Sequence, residues 1–498
     1  MNRPTISVTS GLAGLVAPIL FAVFPLLSLF TQNQTDIELS LLWWPLVWSV
    51  AAAIVVYGAL LLATRRPDKA GALASLVLVA FFYFGWFSLP VWLWLALVVA
   101  GVALVVRTKR PLGKLTLILT VGAAALAIPR AVDIGIYQAN HPLLSATDAR
   151  LWPTALQPPP RNAASHLPDI YVLIPDDYAR ADVLRRHFHY DNAAFRSALK
   201  KRGFVISEQS RSPYSDSESN IAGALNMDYL SQFPKVLGKR SQDVRPVMVV
   251  EEDNRAARLL KTLGYRYVHL DTDEVTFSGG NPDISPFAPP GSFANLWMEK
   301  TILTRVGGPL GFNQQATDTR FRDSVNAGFS KLARVPSEAG PKFVVFHTLI
   351  PHDPYVFGAQ GEAVKFPSSS EDDLGSKLGM RYYLQQLKSL DRRLLAATDA
   401  IVAHSKTPPV IVIQSDEGFE ANPDYVGEAT QQDVRVKGLI ALYMPGIRTP
   451  GVPQPPNAVN TLRFVFNRYV RTRYPMLRSA SYPEGDFPYR YEEMRVKP

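Results

Sequence analysis

Asp169-Ile-Tyr-Val-Leu-Ile-Pro-Asp176-Asp177-Tyr178 decides how this chain is read. Its apolar core, Ile170 to Ile174, is short and rich in β-branched and aromatic residues, the pattern of a strand buried on both faces. Two carboxylates follow at once. The pattern returns twice downstream. Lys342-Phe-Val-Val-Phe-His347 runs into Thr-Leu-Ile-Pro-His352-Asp353-Pro354, and Pro409-Val-Ile-Val-Ile-Gln414 runs into Ser415-Asp416-Glu417-Gly418. Arg266–Leu270 and Leu439–Tyr443 are further strand candidates. Ala181–Gly203, Asn254–Leu263 and Tyr382–Ala403 carry helical spacing, the last with Leu384, Leu387, Leu390, Leu394 and Leu395 on one side. Strands alternating with helices predict an α/β domain with a mainly parallel sheet flanked by helices. Ligands of such sheets bind off the carboxyl ends of the strands, which is where these carboxylates and imidazoles fall.

The residues before this domain are of another kind. Positions 1–140 hold 13 of the charged residues and the remaining 358 positions hold 82. That contrast excludes a purely soluble protein, and the 47% apolar content excludes disorder. A bilayer core needs ~20 apolar residues per helix. Gly11–Phe30, Leu39–Ala63, about Ala70–Phe87, Leu89–Val106 and Leu115–Ile136 are the candidates, the third and fourth joined at Ser88-Leu89-Pro90. The fifth is interrupted by Arg130 and Asp133. Lys and Arg occupy alternate loops, at Arg65, Arg66 and Lys69 and again at Arg107, Lys109, Arg110 and Lys114. This predicts a multi-span helical membrane domain over 1–137 with five spans and a cytoplasmic N-terminus. A Pro-rich linker over 138–167 and an extracytoplasmic domain over 168–498 follow. Four spans with a cytosolic domain is the alternative. No mid-span ionisable residue in the first four helices points to transport.

Composition removes other classes. There is no cysteine, hence no disulfide, thiolate metal site or Cys nucleophile. The net charge is +9, of which +5 lies in positions 1–140, and no basic stripe with interleaved aromatics appears, so nucleic acid is not an expected partner. Asp176, Asp177, His347, His352, Asp416 and Glu417 are the candidate site residues. Singly, each has a plain reading as a cap, a turn or a satisfied core histidine. Together they put oxygen and imidazole donors at one sheet edge, suited to a hard or borderline divalent cation.

Asp169–Asp177, "HTLIPHDPY" (347–355) and "VIVIQSDEG" (410–418), in that order, resemble the alkaline phosphatase superfamily. It includes sulfatases, lipoteichoic acid synthase-like phosphoglycerol transferases and phosphoethanolamine transferases. "DDYARADVL" (176–184), "LNMDYL" (225–230) and "VNTLRFVFNRY" (459–469) are similar to membrane-bound sulfatase-like proteins of bacterial envelope polysaccharide loci. The resemblance covers roughly 168–490 and implies a nucleophile that also binds metal, after the first helix. Ser217, in Arg211-Ser-Pro-Tyr-Ser-Asp-Ser-Glu-Ser-Asn220, matches that place, with Ser215 and Ser219 as rivals and a simple helix cap as the plain reading. Formylglycine chemistry does not fit, because Cys is absent and Arg211-Ser212-Pro213 lacks the pattern.

The resemblance further implies one divalent metal held by Asp176, Ser217, Asp416 and Glu417. Glu417 stands where the family has His and no His follows His404, which favours Mn²⁺, Mg²⁺ or Ca²⁺ over Zn²⁺. His352 is expected to act in catalysis, and His347, His352, Asp177 and Arg180 to contact substrate, although Arg180 also reads as a solvated helix-start residue. The implied activity is a metal-dependent phosphotransferase or phosphodiesterase of the bacterial cytoplasmic membrane. It would modify envelope glycans or lipids from the periplasmic side, with a membrane lipid or lipid-linked glycan as substrate. A sulfatase-type ester hydrolase and a non-catalytic envelope assembly protein are the alternatives.

Overall fold

The computed structural model describes residues 8–87, 89–152, 155–160, 167–272, 292–303, 314–367, 376–420, 427–447, 457–482 and 487–494. Ser88 of the expected tight turn, Pro153 and residues 161–166 of the expected linker lie outside the described residues. The chain divides into two units, 1–143 with 290–317, and 144–289 with 318–498.

The first unit is built on α1 (Val8–Asn33), α2 (Trp43–Thr64), α3 (Pro67–Phe82), α4 (Val91–Arg107) and α5 (Gly113–Asn140). Three stretches are long and apolar enough to cross a membrane: Leu12–Asn33, Leu39–Thr64 and Gly113–Asn140. α4 is apolar but shorter, and α3 has 16 residues. The stretch interrupted by Arg130 and Asp133 is nevertheless one continuous helix, α5. These residues sit one turn apart with their charges 3.6 Å from each other, so each offsets the other. α5 also runs to Asn140, into the expected linker.

Small residues bring α1 and α3 close: a Cβ on Gly71 would fall 2.5 Å from the Gly14 carbonyl oxygen. Residues 292–302, for which the sequence offers no reading, pack in this unit. Trp297 stacks on Phe82 with ring centroids 5.3 Å apart, and Phe293 meets Phe30 edge-on at 5.7 Å. The Gly85 N–H donates to the Lys300 carbonyl at 2.8 Å and that of Ile302 to Phe81 at 3.0 Å.

The second unit carries a six-stranded sheet. In chain order the elements used below are β1 (Ile170–Asp176), α6 (Ala181–Phe188), α7 (Ala193–Lys201), β2 (Val205–Ile206), α8 (Ser217–Asn226), α9 (Arg255–Lys261) and β3 (Arg266–Asp271). There follow β4 (Lys342–Pro351), α10 (Lys377–His404), β5 (Val410–Gln414), α11 (Glu428–Arg435), β6 (Ile440–Tyr443) and α12 (Ala458–Tyr469). Strand order is β2-β6-β5-β1-β4-β3. β1 pairs in parallel with β4 and β5, and β3 with β4, while β6 runs antiparallel to β5 and β2 antiparallel to β6.

Side chains alternate across the central strands. Tyr171, Leu173, Val344, Phe346, Ile411 and Ile413 face one core with Val183 and Leu184 of α6, Leu199 of α7 and Leu387, Leu390 and Leu394 of α10. Ile170, Val172, Phe343, Val345, Val410 and Val412 face the other, with Ile221 and Leu225 of α8, Leu260 of α9 and Leu462, Val465 and Phe466 of α12. Each fully buried side chain of this size contributes ~1.5–3 kcal/mol, so a slip of one residue in β1 would be costly. The expected helix Ala181–Gly203 is two helices. Its first ends at His189, in the left-handed region at φ 51°, where the Tyr190 N–H closes back on the Leu184 carbonyl. The two-residue β2 is too short to leave a period in the sequence.

Candidate metal centre and nucleophile

β5, β1 and β4 are neighbours and parallel, so their carboxyl ends meet. Asp176 ends β1. Asp177 then turns the chain in the left-handed region at φ 56°, a conformation that Asp tolerates. Its N–H donates to Asp416 Oδ1 at 3.2 Å, and its carbonyl accepts the Tyr383 hydroxyl at 2.7 Å. The loop after β5 is fixed by Ser415, whose hydroxyl accepts the Tyr178 N–H at 2.8 Å and lies 2.9 Å from the Pro175 carbonyl. A Cβ on Gly418 would lie 2.7 Å from the Lys437 carbonyl oxygen, and one on Gly438 2.7 Å from that of Glu417. The glycine of Asp416-Glu417-Gly418 is therefore required by the close approach of two loops.

These loops concentrate charge where water is excluded. Asp176, Asp177, Asp416 and Glu417 are each only 2–3% exposed. One ligand atom each from Asp176, His347 and Asp416 lies within 4.8 Å of the others, and the same holds for Asp176, Asp177 and Glu417. Asp176 Oδ1, Asp177 Oδ1, Asp416 Oδ2 and His347 Nε2 are buried and accept or donate no hydrogen bond among the described residues. Buried polar atoms are rarely left so. Burial and the Asp176 charge push Asp416 up to about 7. Burial, then the neighbouring carboxylates, hold Asp177 and Glu417 well above the usual range, against the pull of His352 and Arg435 respectively. Such a set fits a divalent cation, which would satisfy the orphaned atoms and relieve the carboxylate repulsion.

His347, expected at the substrate, offers its Nε2 to this same set. Its Nδ1 lies 3.2 Å from Asp271 Oδ2 and its Nε2 3.7 Å from Asp176 Oδ2. Burial opposes its charged form, and Asp271 and Asp176 outweigh it, holding its proton affinity well up. A carboxylate on Nδ1 fixes the ring so that Nε2 faces the centre, the usual support of a metal-bound imidazole. With nitrogen in the donor set, the argument against Zn²⁺ from Glu417 loses its force. His352 is half-buried, with Nδ1 2.8 Å from the Asp353 carbonyl. Burial works against its charge, but Asp176, Asp177 and Asp353 prevail and push it up to about 10.

Ser217 is the first residue of α8. The Asp216 carboxylate before it caps the helix, accepting the Ser219 N–H at 2.7 Å. The approach is braced by Asn220, which accepts the Tyr214 N–H at 2.8 Å and donates to the Tyr214 carbonyl at 3.0 Å. The Ser217 hydroxyl is near enough to Asp416 to favour its charged form. Ser219 instead neighbours Tyr491. Arg180 is not part of the cluster. Its guanidinium grips both oxygens of Asp182 at 2.6 and 2.9 Å and donates to the Ser210 carbonyl at 2.6 Å, and the residue is buried rather than solvated.

Two site residues carry no signal in the sequence. Asp271 meets His347 because β3 and β4 set them in register. Arg435, on α11, reaches both oxygens of Glu417 at 3.3 Å and also Glu420 at 2.9 Å. Glu417, which stands where the sequence resemblance implies a histidine, has its charge already answered by a guanidinium.

No protein-family model and no curated protein matches this chain. Solved structures do. The C-terminal periplasmic domain of EcEptC from Escherichia coli, in complex with Zn, is 13% identical, with a TM-score of 0.40 over 63% of this chain and 86% of that one. The periplasmic domain of the phosphoethanolamine transferase EptC from Campylobacter jejuni is 14% identical, with a TM-score of 0.36 over 57% and 82%. A protein in the alkaline phosphatase superfamily from Vibrio parahaemolyticus is 14% identical, with a TM-score of 0.40 over 71% and 81%. Alkaline-phosphatase-like domains, the group that the sequence motifs resemble, are thus among the solved structures to which this chain is similar.

Proposed function

We propose that this chain is a membrane-anchored, divalent-metal-dependent phosphotransferase or phosphodiesterase that modifies envelope glycans or lipids outside the cytoplasmic membrane. The observation that carries this reading is the convergence of four orphaned buried donor atoms beside a serine at a helix N-terminus. Asp176, His347 and Asp416 would hold the cation, with Ser217 beside them and Asp177 and Glu417 adjoining. When bound, the cation supplies Lewis-acid polarisation of a phosphoryl oxygen and offsets carboxylate charge. The Ser217 hydroxyl attacks phosphorus and its proton passes to Asp416, the nearby carboxylate. A Ser217 phosphoester forms as the donor's alcohol leaves, taking a proton from His352. A sugar hydroxyl or water then attacks the same phosphorus and gives its proton to His352, while the Ser217–phosphorus bond breaks and the Ser217 oxygen takes back the proton held by Asp416. The positive end of α8 favours the phosphoryl oxygens.

Five spans with the N-terminus inside suit this reading, because a membrane lipid or lipid-linked glycan then reaches the site without leaving the bilayer. The bidentate Glu417–Arg435 pair favours a second reading, a non-catalytic envelope assembly protein, since it ties up one expected metal ligand. Mass spectrometry of envelope glycans separates the two. A deletion strain would be complemented with wild type or with Ser217→Ala. Loss of a phospho-substituent in both the deletion and Ser217→Ala supports the transferase. Accumulated sulfate ester points to a hydrolase. Glycans altered by deletion but rescued by Ser217→Ala sink the nucleophile, and unchanged glycans favour the assembly role.

A further inference from the structure

Next to α8, within the second unit, a cleft of about 800 Å³ is lined by none of the carboxylates of the candidate metal centre. Its lining differs from the carboxylate cluster in kind. Tyr482, Phe487 and Tyr491 present rings, and Lys235, Lys239 and Arg240 present cations. Tyr482 lies 6.0 Å from both Tyr214 and Tyr491, ring centroid to centroid, so the rings form a continuous wall. The Arg240 guanidinium lies 5.5 Å from the Phe487 ring centre, a cation over an aromatic face.

Two of these cations, Lys239 and Arg240, have no acidic partner among the described residues. Arg490 pairs with Glu492 at 2.9 Å, and Lys235 donates to the neutral Gln232 side chain at 3.1 Å. Lys239 and Arg240 are exposed and form no ion pair among the described residues. The volume is that of a ligand site, since such sites run to ~300–1,000 Å³.

The cleft is also tied to the nucleophile. Tyr214 lines it three residues before Ser217 and is bonded through its backbone to Asn220 of α8. Burial, followed by the neighbouring Tyr214-side carboxylate Asp216, keeps the Tyr491 hydroxyl protonated, and Asp216 and Ser219 flank Ser217. That buried hydroxyl makes no hydrogen bond of ordinary geometry among the described residues. Rings with an electron-rich face suit the C–H face of a pyranose. Lys239 and Arg240 beside them suit carboxylate or phosphate groups on the same sugar chain.

We propose that this cleft is a subsite for an acidic oligosaccharide, uronate- or phosphate-bearing, that runs past Tyr491 toward Ser217. It rests on the glycan-directed reading above and names its substrate class. The rings take the sugar faces and Lys239 and Arg240 take the anionic substituents.

The test uses the full chain in detergent, in a Ser217→Ala background that removes turnover, with hexagalacturonate and neutral maltohexaose as probes in calorimetric titration. Hexagalacturonate is expected to bind at least tenfold more tightly than maltohexaose and to weaken as salt rises. Phe487→Ala should weaken it at least fivefold, and Lys239→Gln with Arg240→Gln at least tenfold. The paired charge variant is at the surface, so it carries the test alone if Phe487→Ala does not fold. Equal affinity for the two sugars overturns the proposal, as does wild-type affinity in the folded variants. So does tighter binding of hexathymidylate or of phosphatidylglycerol micelles, which would assign the cleft to nucleic acid or lipid. Because binding is read without chemistry, tight hexagalacturonate binding alongside unchanged envelope glycans would sink the phosphotransferase and leave the cleft. Ser217-dependent glycan changes without cleft binding would do the reverse.

Discussion

Val55, Trp92 and Leu104 stand 69–71% exposed on the helical unit, whereas Asp176, Asp177, Asp416 and Glu417 of the α/β unit are 2–3% exposed. Among the described residues after 143, the exposed large apolar side chains are Leu296, Val402 and Met476, and Leu296 belongs to the helical unit. One unit turns its oil outward because lipid is its solvent. The other holds charge inside, at a cost to stability that packing on both sheet faces offsets. The comparison teaches that burial has no fixed sign in this chain. A buried carboxylate and an exposed Leu are each anomalous in one unit and expected in the other.

The comparison breaks most readily at Glu417. Arg435→Met leaves that carboxylate buried without its cation, a loss of ~3–5 kcal/mol. Unfolding of the full chain in detergent with a chelator present is expected to show it, and Glu417→Gln in addition should recover most of the loss. Recovery by the second substitution excludes a loss of Arg435 packing as the cause. On the helical unit the sharpest probe is Val55→Lys, near the middle of α2, expected to cost ~2.5–3.5 kcal/mol of insertion. The equivalent Val402→Lys on α10 should stay within ~0.5 kcal/mol. The fraction of each protein resisting alkaline extraction from membranes checks the pair, and equal behaviour would end the contrast.

The smallest effect tests inward charge away from the site. Asp391 accepts the Tyr178 hydroxyl at 2.6 Å, and burial pushes it up to about 7 despite that bond. Its folded pKa is raised above the unfolded ~3.9. The folded state therefore holds the extra proton between those values, and this group's contribution to stability falls as pH rises from about 4 to 7. Asp391→Asn keeps an oxygen for Tyr178 and removes the charge. It should raise stability by ~1–3 kcal/mol at pH 8 and leave it unchanged at pH 4, at ~1.4 kcal/mol per pKa unit before relaxation. A gain that is the same at both pH values would point to packing instead.

Much of the sheet, and the carboxylates of the candidate site, are legible in the sequence for one reason. Central parallel strands are buried on both faces, so β1, β4 and β5 read as unbroken apolar runs, and whatever follows them falls at one edge. Ser217 comes only from the family resemblance, whereas Asp176, Asp177, Asp416 and Glu417 are expected at that edge on this ground. Asp271 is not, because its meeting with His347 depends on the register of two strands far apart in the chain. Arg435 is not, because a single Arg on a short helix has no period, and only the folding of α11 against the β5 loop brings it to Glu417. The burial of Arg180 is not legible either, because its partners, Asp182 and the Ser210 carbonyl, look unremarkable in line. The break at His189 was missed because a left-handed residue there is not Gly.

Phe293 and Trp297 bear on how this protein can be divided. They come between β3 and β4 in the chain, yet their ring partners Phe30 and Phe82 belong to the membrane helices. A fragment cut at residue 144 would contain every strand of the sheet and still carry two large rings without their partners Phe30 and Phe82. The chain resists excision at its apparent seam. A water-soluble version of the α/β unit calls for polar replacements at Phe293 and Trp297, or for removal of 292–302, before any cut at the N-terminal side will yield a well-behaved protein.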